Sequence, residues 1–185
     1  MGLDMYLERY KKSNNNDLNT LPIITESQGE EVAYWRKANQ IRQWFVSHIE
    51  EFNKEDDCGY YNVTKELLER LIIDCKSVLY SRYSIEVEEK IKQKIDKVKS
   101  LAERGVGGEK DGAKETLNKI KSKYGLHGIS VKPEDILPTS SGFFFGGTDY
   151  NEYYYEQLED TVNMCEKIIK ETNWDNEVIL YTEWW

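Results

Sequence analysis

Paired cysteines, clustered histidines and long apolar runs are all missing from this chain. The three cysteines, Cys58, Cys75 and Cys165, form no close pair, and that odd, scattered set predicts reduced thiols rather than a disulfide framework. His48 and His127 stand far apart and outside any HExxH or Cys-His array, so no metal and no cofactor is expected. No stretch approaches the length of a membrane span, and MGLDMYLERY carries charges where a signal peptide needs an apolar core. The expectation is a soluble, intracellular protein with no membrane partner. Positive charge is also short: 25 Lys and Arg face 34 Asp and Glu, for a net charge of −9. A field of that sign repels phosphate backbones, which argues against sequence-general nucleic-acid binding.

What is present suffices for a core. The 185 residues fit one domain, or one domain with an inserted subdomain. Leu3, Met5 and Leu7 alternate with Asp4, Tyr6 and Glu8, the period of two of a half-buried strand. Residues 11–19 are polar and Asn-rich, a loop, and 21–25 return as a short strand whose Pro22 favours a sheet edge. Residues 30–52, EEVAYWRKANQIRQWFVSHIEEF, read as a helix with a buried stripe of Tyr34, Ala38, Ile41, Phe45, Ile49 and Phe52. Its shoulders carry Lys37, Trp44 and His48 on one side and Trp35, Asn39, Arg42 and Val46 on the other.

An acidic loop follows over 55–61. Thr64 then caps a helix with apolar positions Leu67, Leu68, Leu71, Ile72, Cys75, Val78 and Leu79. From 85 to 124 the composition turns to Lys and Glu with a sparse apolar stripe, broken by the glycine-rich GVGGEKDG at 105–112. That pattern predicts a helical hairpin inserted at 84–125 into a body formed by 1–83 and 126–185. No strand precedes those glycines and no Lys-Ser/Thr follows them, so they read as a turn and not a phosphate loop. A short strand at 129–131 and a helical turn over 133–137 lead to Phe143, Phe144 and Phe145, bracketed by Gly142 and the Gly146-Gly147 pair. Asp149 and Glu152 make a capping-box-like start to a helix through Tyr154, Leu158, Val162, Cys165, Ile168 and Ile169. Residues 178–184 form a final strand beside the first. The fold class is α+β: a small antiparallel sheet of N- and C-terminal strands packed with three main helices, plus the inserted hairpin.

The chemistry-bearing residues converge on two stretches. Arg36, Lys37, Asn39 and Arg42 donate hydrogen bonds, and Thr139, Ser140, Ser141 and Thr148 offer hydroxyls. Gly142 and Gly146 permit close backbone approach, while Trp35, Trp44 and Phe144 supply faces on which a base can stack. The expectation is a ligand pocket between the 31–46 helix and the 137–150 loop, suited to a small nucleotide or another phosphorylated metabolite. The competing expectation is a core of aromatics stapled by a buried Arg or Asn network. A Cys58 nucleophile with His48 as base is opposed by Asp56 and Asp57, whose charges raise a thiol pKa. The acidic residues Asp56, Asp57 and Asp149 lack the surroundings of a paired-carboxylate hydrolase, so no catalytic residue is assigned.

GLDMYL at 2–7, EVAYWRKANQIRQWFV at 31–46, DDC with Tyr60-Tyr61, LPTSSGFFFGGTDYNEYYYEQLEDT at 137–161 and the tryptophan-rich tail together resemble a widespread group of small proteins encoded by tailed bacteriophages and prophages. Members run from the second helix almost directly into the LPT-SGFFFG segment, so the resemblance implies that 81–132 is an addition. Members often carry histidine where this chain has Arg42, which argues against a universal catalytic histidine there. The resemblance implies the cytoplasm of an infected or lysogenic bacterium and a role in host takeover or counter-defence. The function expected is non-catalytic binding, either of a nucleotide-type signal in the pocket or of a host defence protein. A small enzyme acting on a nucleotide or host macromolecule, and a virion-assembly helper, are the alternatives. Trp184 and Trp185 make a homo-oligomer a further expectation.

Overall fold

The computed structural model describes residues 2–12, 29–50, 52, 59–104 and 131–185. The expected strand at 21–25, the 55–58 part of the acidic loop with Cys58, the glycine-rich turn, the second arm of the hairpin, His127 and residues 129–130 lie outside the described residues. Among the described residues, strands β1 (Asp4–Lys11), β2 (Glu30–Arg36), β3 (Tyr61–Val63) and β4 (Glu177–Trp184) and helices α1 (Asn39–His48), α2 (Lys65–Arg104), α3 (Pro133–Ile136) and α4 (Glu152–Glu171) follow in the order β1-β2-α1-β3-α2-α3-α4-β4. The strands form one four-stranded sheet in the order β2-β1-β4-β3, with every neighbouring pair antiparallel. This is the α+β class expected, with the N- and C-terminal strands side by side at its centre.

Strand parity explains the layering. Leu3, Met5 and Leu7 from the β1 segment, Ala33 and Trp35 from β2, and Ile179 and Tyr181 from β4 join one core cluster. That cluster also takes in Ile41 and Phe45 of α1, Leu68, Leu71 and Cys75 of α2, and Leu158, Val162 and Cys165 of α4. Three helices therefore cover one face of the sheet, and burying each large apolar side chain contributes roughly 1.5–3 kcal/mol. Burial pushes the Cys75 and Cys165 thiols well above their usual range, which suits packing groups and not nucleophiles.

The helix expected over 30–52 is two elements. Residues 30–36 are strand β2, and the helix proper starts at Asn39. The break sits at Lys37, whose φ of 56° lies in the left-handed region that side chains other than glycine seldom adopt. Seven residues are too few to separate a period of 2 from one of 3.6, and Val32, Tyr34 and Trp35 are strand formers. The consequence reverses two assignments: Trp35 is core at 4% exposure, and Tyr34 is on the open face at 40%. From Ala38 onward the expected stripe holds, with Ala38, Ile41 and Phe45 fully buried.

Other corrections are local. α2 runs unbroken past residue 84 to Arg104, so the second helix and the first arm of the expected hairpin are one helix. Asn151, not Asp149, caps α4, its side chain accepting from the Tyr154 amide at 3.2 Å. β3 was not expected, because three residues carry no readable period. Thr64 does cap α2, its hydroxyl accepting from the Leu67 amide at 3.2 Å. The chain divides into two compact units, Met1–Leu79 with Lys132–Trp185, and Tyr80–Val131. Within the second, the buried Ser81 hydroxyl accepts from the Val131 amide at 3.0 Å.

On the open face of β2, the Tyr34 hydroxyl donates to Asp4 Oδ1 at 2.5 Å. That bond, with desolvation second, raises the Tyr34 pKa to about 12. Between the unfolded tyrosine pKa of about 10 and the folded value, the native state holds the proton and the unfolded state has lost it. Stability from this bond is therefore complete below about pH 10 and lost as pH rises toward 12. Urea melts of the wild type and Tyr34→Phe are expected to converge across that interval, the wild type starting higher.

Candidate functional site

Two backbone features bring the sequence-predicted residues together. The left-handed turn at Lys37 directs the chain from β2 into α1, and Gly146, at φ +90°, lies against it. A Cβ at Gly146 would stand 3.0 Å from Lys37 Cβ and 3.2 Å from its carbonyl oxygen, so glycine is needed for both conformation and space. The N-terminal strand joins the two segments: the Lys37 amide donates to Leu3 O at 2.8 Å, and the Leu3 amide to Phe144 O at 3.0 Å.

Asn39 holds the 139–147 loop. Its Nδ2 donates to the carbonyls of Phe145 at 3.1 Å and Gly147 at 2.8 Å, and its Oδ1 accepts from the Ser140 amide at 2.9 Å. Both amide protons and the carbonyl are thereby engaged, at a residue only 1% exposed. The Ser140 hydroxyl turns back to Asn39 O at 3.5 Å, and the Thr139 hydroxyl donates to Thr148 O at 3.0 Å. Inside the loop the Phe145 amide donates to Gly142 O at 3.2 Å. A Cβ at Gly142 would come within 2.6 Å of the Phe145 ring. Ser141, Gly142 and Thr148 are exposed.

Arg42 is also engaged. Its Nε lies 2.9 and 3.0 Å from the two Glu183 oxygens, and its Nη2 is 2.6 Å from Oε1, with both side chains nearly buried. Three rings surround the guanidinium, Phe145 at 4.7 Å, Trp185 at 5.7 Å and Phe52 at 6.0 Å. Glu183 further accepts from the Tyr181 hydroxyl at 2.7 Å and Trp185 Nε1 at 3.1 Å. Burial, followed by the Glu183 charge, raises the Tyr181 pKa well above its ordinary value. The cation is matched by a buried carboxylate, so its field is cancelled locally. Arg36 and Lys37 remain exposed, with Arg36 only 3.9 Å from Asp4 at its closest ion pair.

The remaining predicted aromatics divide. Trp35 packs edge-on against Phe45 and donates through Nε1 to Thr161 Oγ1 at 2.8 Å, a core role. Trp44 is core as well, donating to Asp74 at 2.8 Å while stacking on His48. In the triple phenylalanine, Phe145 turns inward over Arg42, Phe144 is part-buried, and Phe143 is 96% exposed.

Sequence reasoning missed Glu183 and the groove beside β2. Glu183 shares strand parity with the buried Ile179 and Tyr181, and a carboxylate at an inward position calls for a buried cation; that was the available signal. The groove, of about 390 Å³, lies between Tyr34, Trp35 and Arg36 of β2 and the Tyr153-to-Met164 side of α4. Among the described residues no cluster of three or more His, Cys, Asp or Glu is arranged to hold a metal, and no helix is long and apolar enough to cross a membrane. Comparison of the chain with protein-family models, with curated proteins and with solved structures gives no match.

Proposed function

We propose that this protein is a phage-encoded accessory protein that counters host defence or aids host takeover by non-catalytic capture of a host protein, in the cytoplasm of an infected or lysogenic bacterium. The observation that carries this reading is Phe143, held 96% exposed at the tip of a loop whose backbone Asn39 fixes on both sides. An exposed phenylalanine forgoes roughly 2–3 kcal/mol of burial, and a partner with a complementary pocket recovers it without first ordering the loop. Phe144, itself part-buried, stands edge-on to it at 4.8 Å.

A nucleotide-type signal is the weaker occupant for the same region. Asn39 and Arg42 are already satisfied by the protein, and Glu183 meets the arginine charge that a phosphate would need. The phage setting rests on the GLDMYL, EVAYWRKAN and LPTSSGFFFGG motifs described above.

The test is Phe143→Ser in the full chain. An exposed substitution changes stability by no more than about 0.5 kcal/mol, so the urea midpoint is expected to stay in place. Co-purification of the host protein with the tagged chain from infected cells is expected to be lost. Capture unchanged by the substitution overturns the reading.

A further inference from the structure

Among the described residues β2 is the outermost strand of the sheet, and over residues 33–37, beyond the register shift at Leu7/Glu8, the backbone groups that face away from β1 can be assigned. The Lys37 amide donates inward to Leu3 O, and Met5 pairs with Trp35 and Leu7 with Ala33. In an antiparallel ladder alternate residues face the neighbour, so Lys37, Trp35 and Ala33 point at β1 while Arg36 and Tyr34 direct their amides and carbonyls away from it. The Arg36 carbonyl bears this out: it accepts from the Tyr153 hydroxyl at 3.3 Å and Gln157 Nε2 at 3.2 Å, both on α4. Those two bonds close one end of the groove. Beyond them, the outward amide and carbonyl of Tyr34 have no hydrogen-bond partner in a strand or helix among the described residues.

We infer that this groove takes up an extended, basic peptide segment, which adds as a strand to β2 with its alternate side chains facing α4. Strand addition at an edge beside a helix supplies backbone hydrogen bonds, and pockets for every second side chain supply selectivity. The chemistry of those side chains follows from the α4 wall. Glu156 and Asp160 line the groove and both are exposed, against the single cation Arg36 on the strand side, in a chain of net charge −9. Lysine or arginine at alternate peptide positions complements that wall, and an acidic segment is repelled by it. Met164 and Tyr153 offer apolar contact to the aliphatic stems of those side chains. This site is separate from Phe143 and does not depend on what Phe143 binds.

The probe is an amidated octapeptide of alternating threonine and arginine with fluorescein on its N-terminus, titrated with the full chain by fluorescence anisotropy and, as the acetylated peptide, by amide exchange. Saturable binding is expected, with the Tyr34 amide at least about tenfold slower to exchange in the complex, since a new backbone bond must open first. N-methylation of alternate peptide amides on the pairing edge is expected to weaken binding about tenfold or more. Glu156→Gln with Asp160→Asn, both at exposed positions, is expected to weaken it about three- to tenfold at low salt. Three results each overturn the inference: no saturable binding, equal binding of the N-methylated or an alternating threonine-glutamate peptide, or a Tyr34 amide already protected in the free protein because the edge is occupied.

Discussion

Arg42→Met is expected to lower the unfolding free energy by about 3–5 kcal/mol, because it leaves the Glu183 carboxylate buried without its cation. Glu183 is 1% exposed, and its two other partners, Tyr181 and Trp185, donate neutral hydrogen bonds that do not replace a charge. Glu183→Leu strands the guanidinium among Phe52, Phe145 and Trp185, with a loss of similar size. The double variant removes both charges, and an apolar pair of similar volume restores much of the stability. The measurement is a double-mutant cycle from urea melts. A double variant less stable than either single one would show that the site needs the ion pair itself, not merely the absence of an unmatched charge.

The second large effect belongs to Asn39. Asn39→Ala leaves two carbonyls and one amide of the 139–147 loop without their partner; a fully buried polar group so orphaned costs about 1–3 kcal/mol, and these part-buried ones less because water reaches them. A net loss of about 2–4 kcal/mol is expected, with faster exchange of the Ser140 amide as the local signature. Asn39→Asp is expected to be at least as damaging, since a carboxylate in place of Nδ2 faces the Phe145 and Gly147 carbonyls with no proton to donate.

Those two residues also show how far the sequence could be read. Convergence of Asn39, Arg42, Ser140 and Gly146 was legible, because donors on a helix shoulder and a glycine-bounded loop announce a close approach. Their mutual satisfaction was not. Arg42 and Glu183 lie 141 positions apart, and only the parity of β4, once β4 is known to be central, turns Glu183 inward. β1, β4 and α4 were readable since their periods repeat long enough to separate 2 from 3.6. β2 was not, as its strand ends after Arg36 and a helix of compatible phase begins at Asn39, so one stripe drawn through both looked continuous. The groove beside β2 was invisible for the same reason: a stretch read as helix has no free edge.

Site-specific photo-crosslinking tests the central claim, that Phe143 is an exposed anchor for a host protein while its neighbours hold the fold. A benzophenone amino acid replaces Phe143 in one version of the chain and Ile73, 62% exposed on α2, in a control, and both are irradiated in infected cells. The account predicts one discrete crosslinked host protein at position 143 and none at 73. The same products at both positions, or a product at 143 that contains only a second copy of this chain, would contradict it.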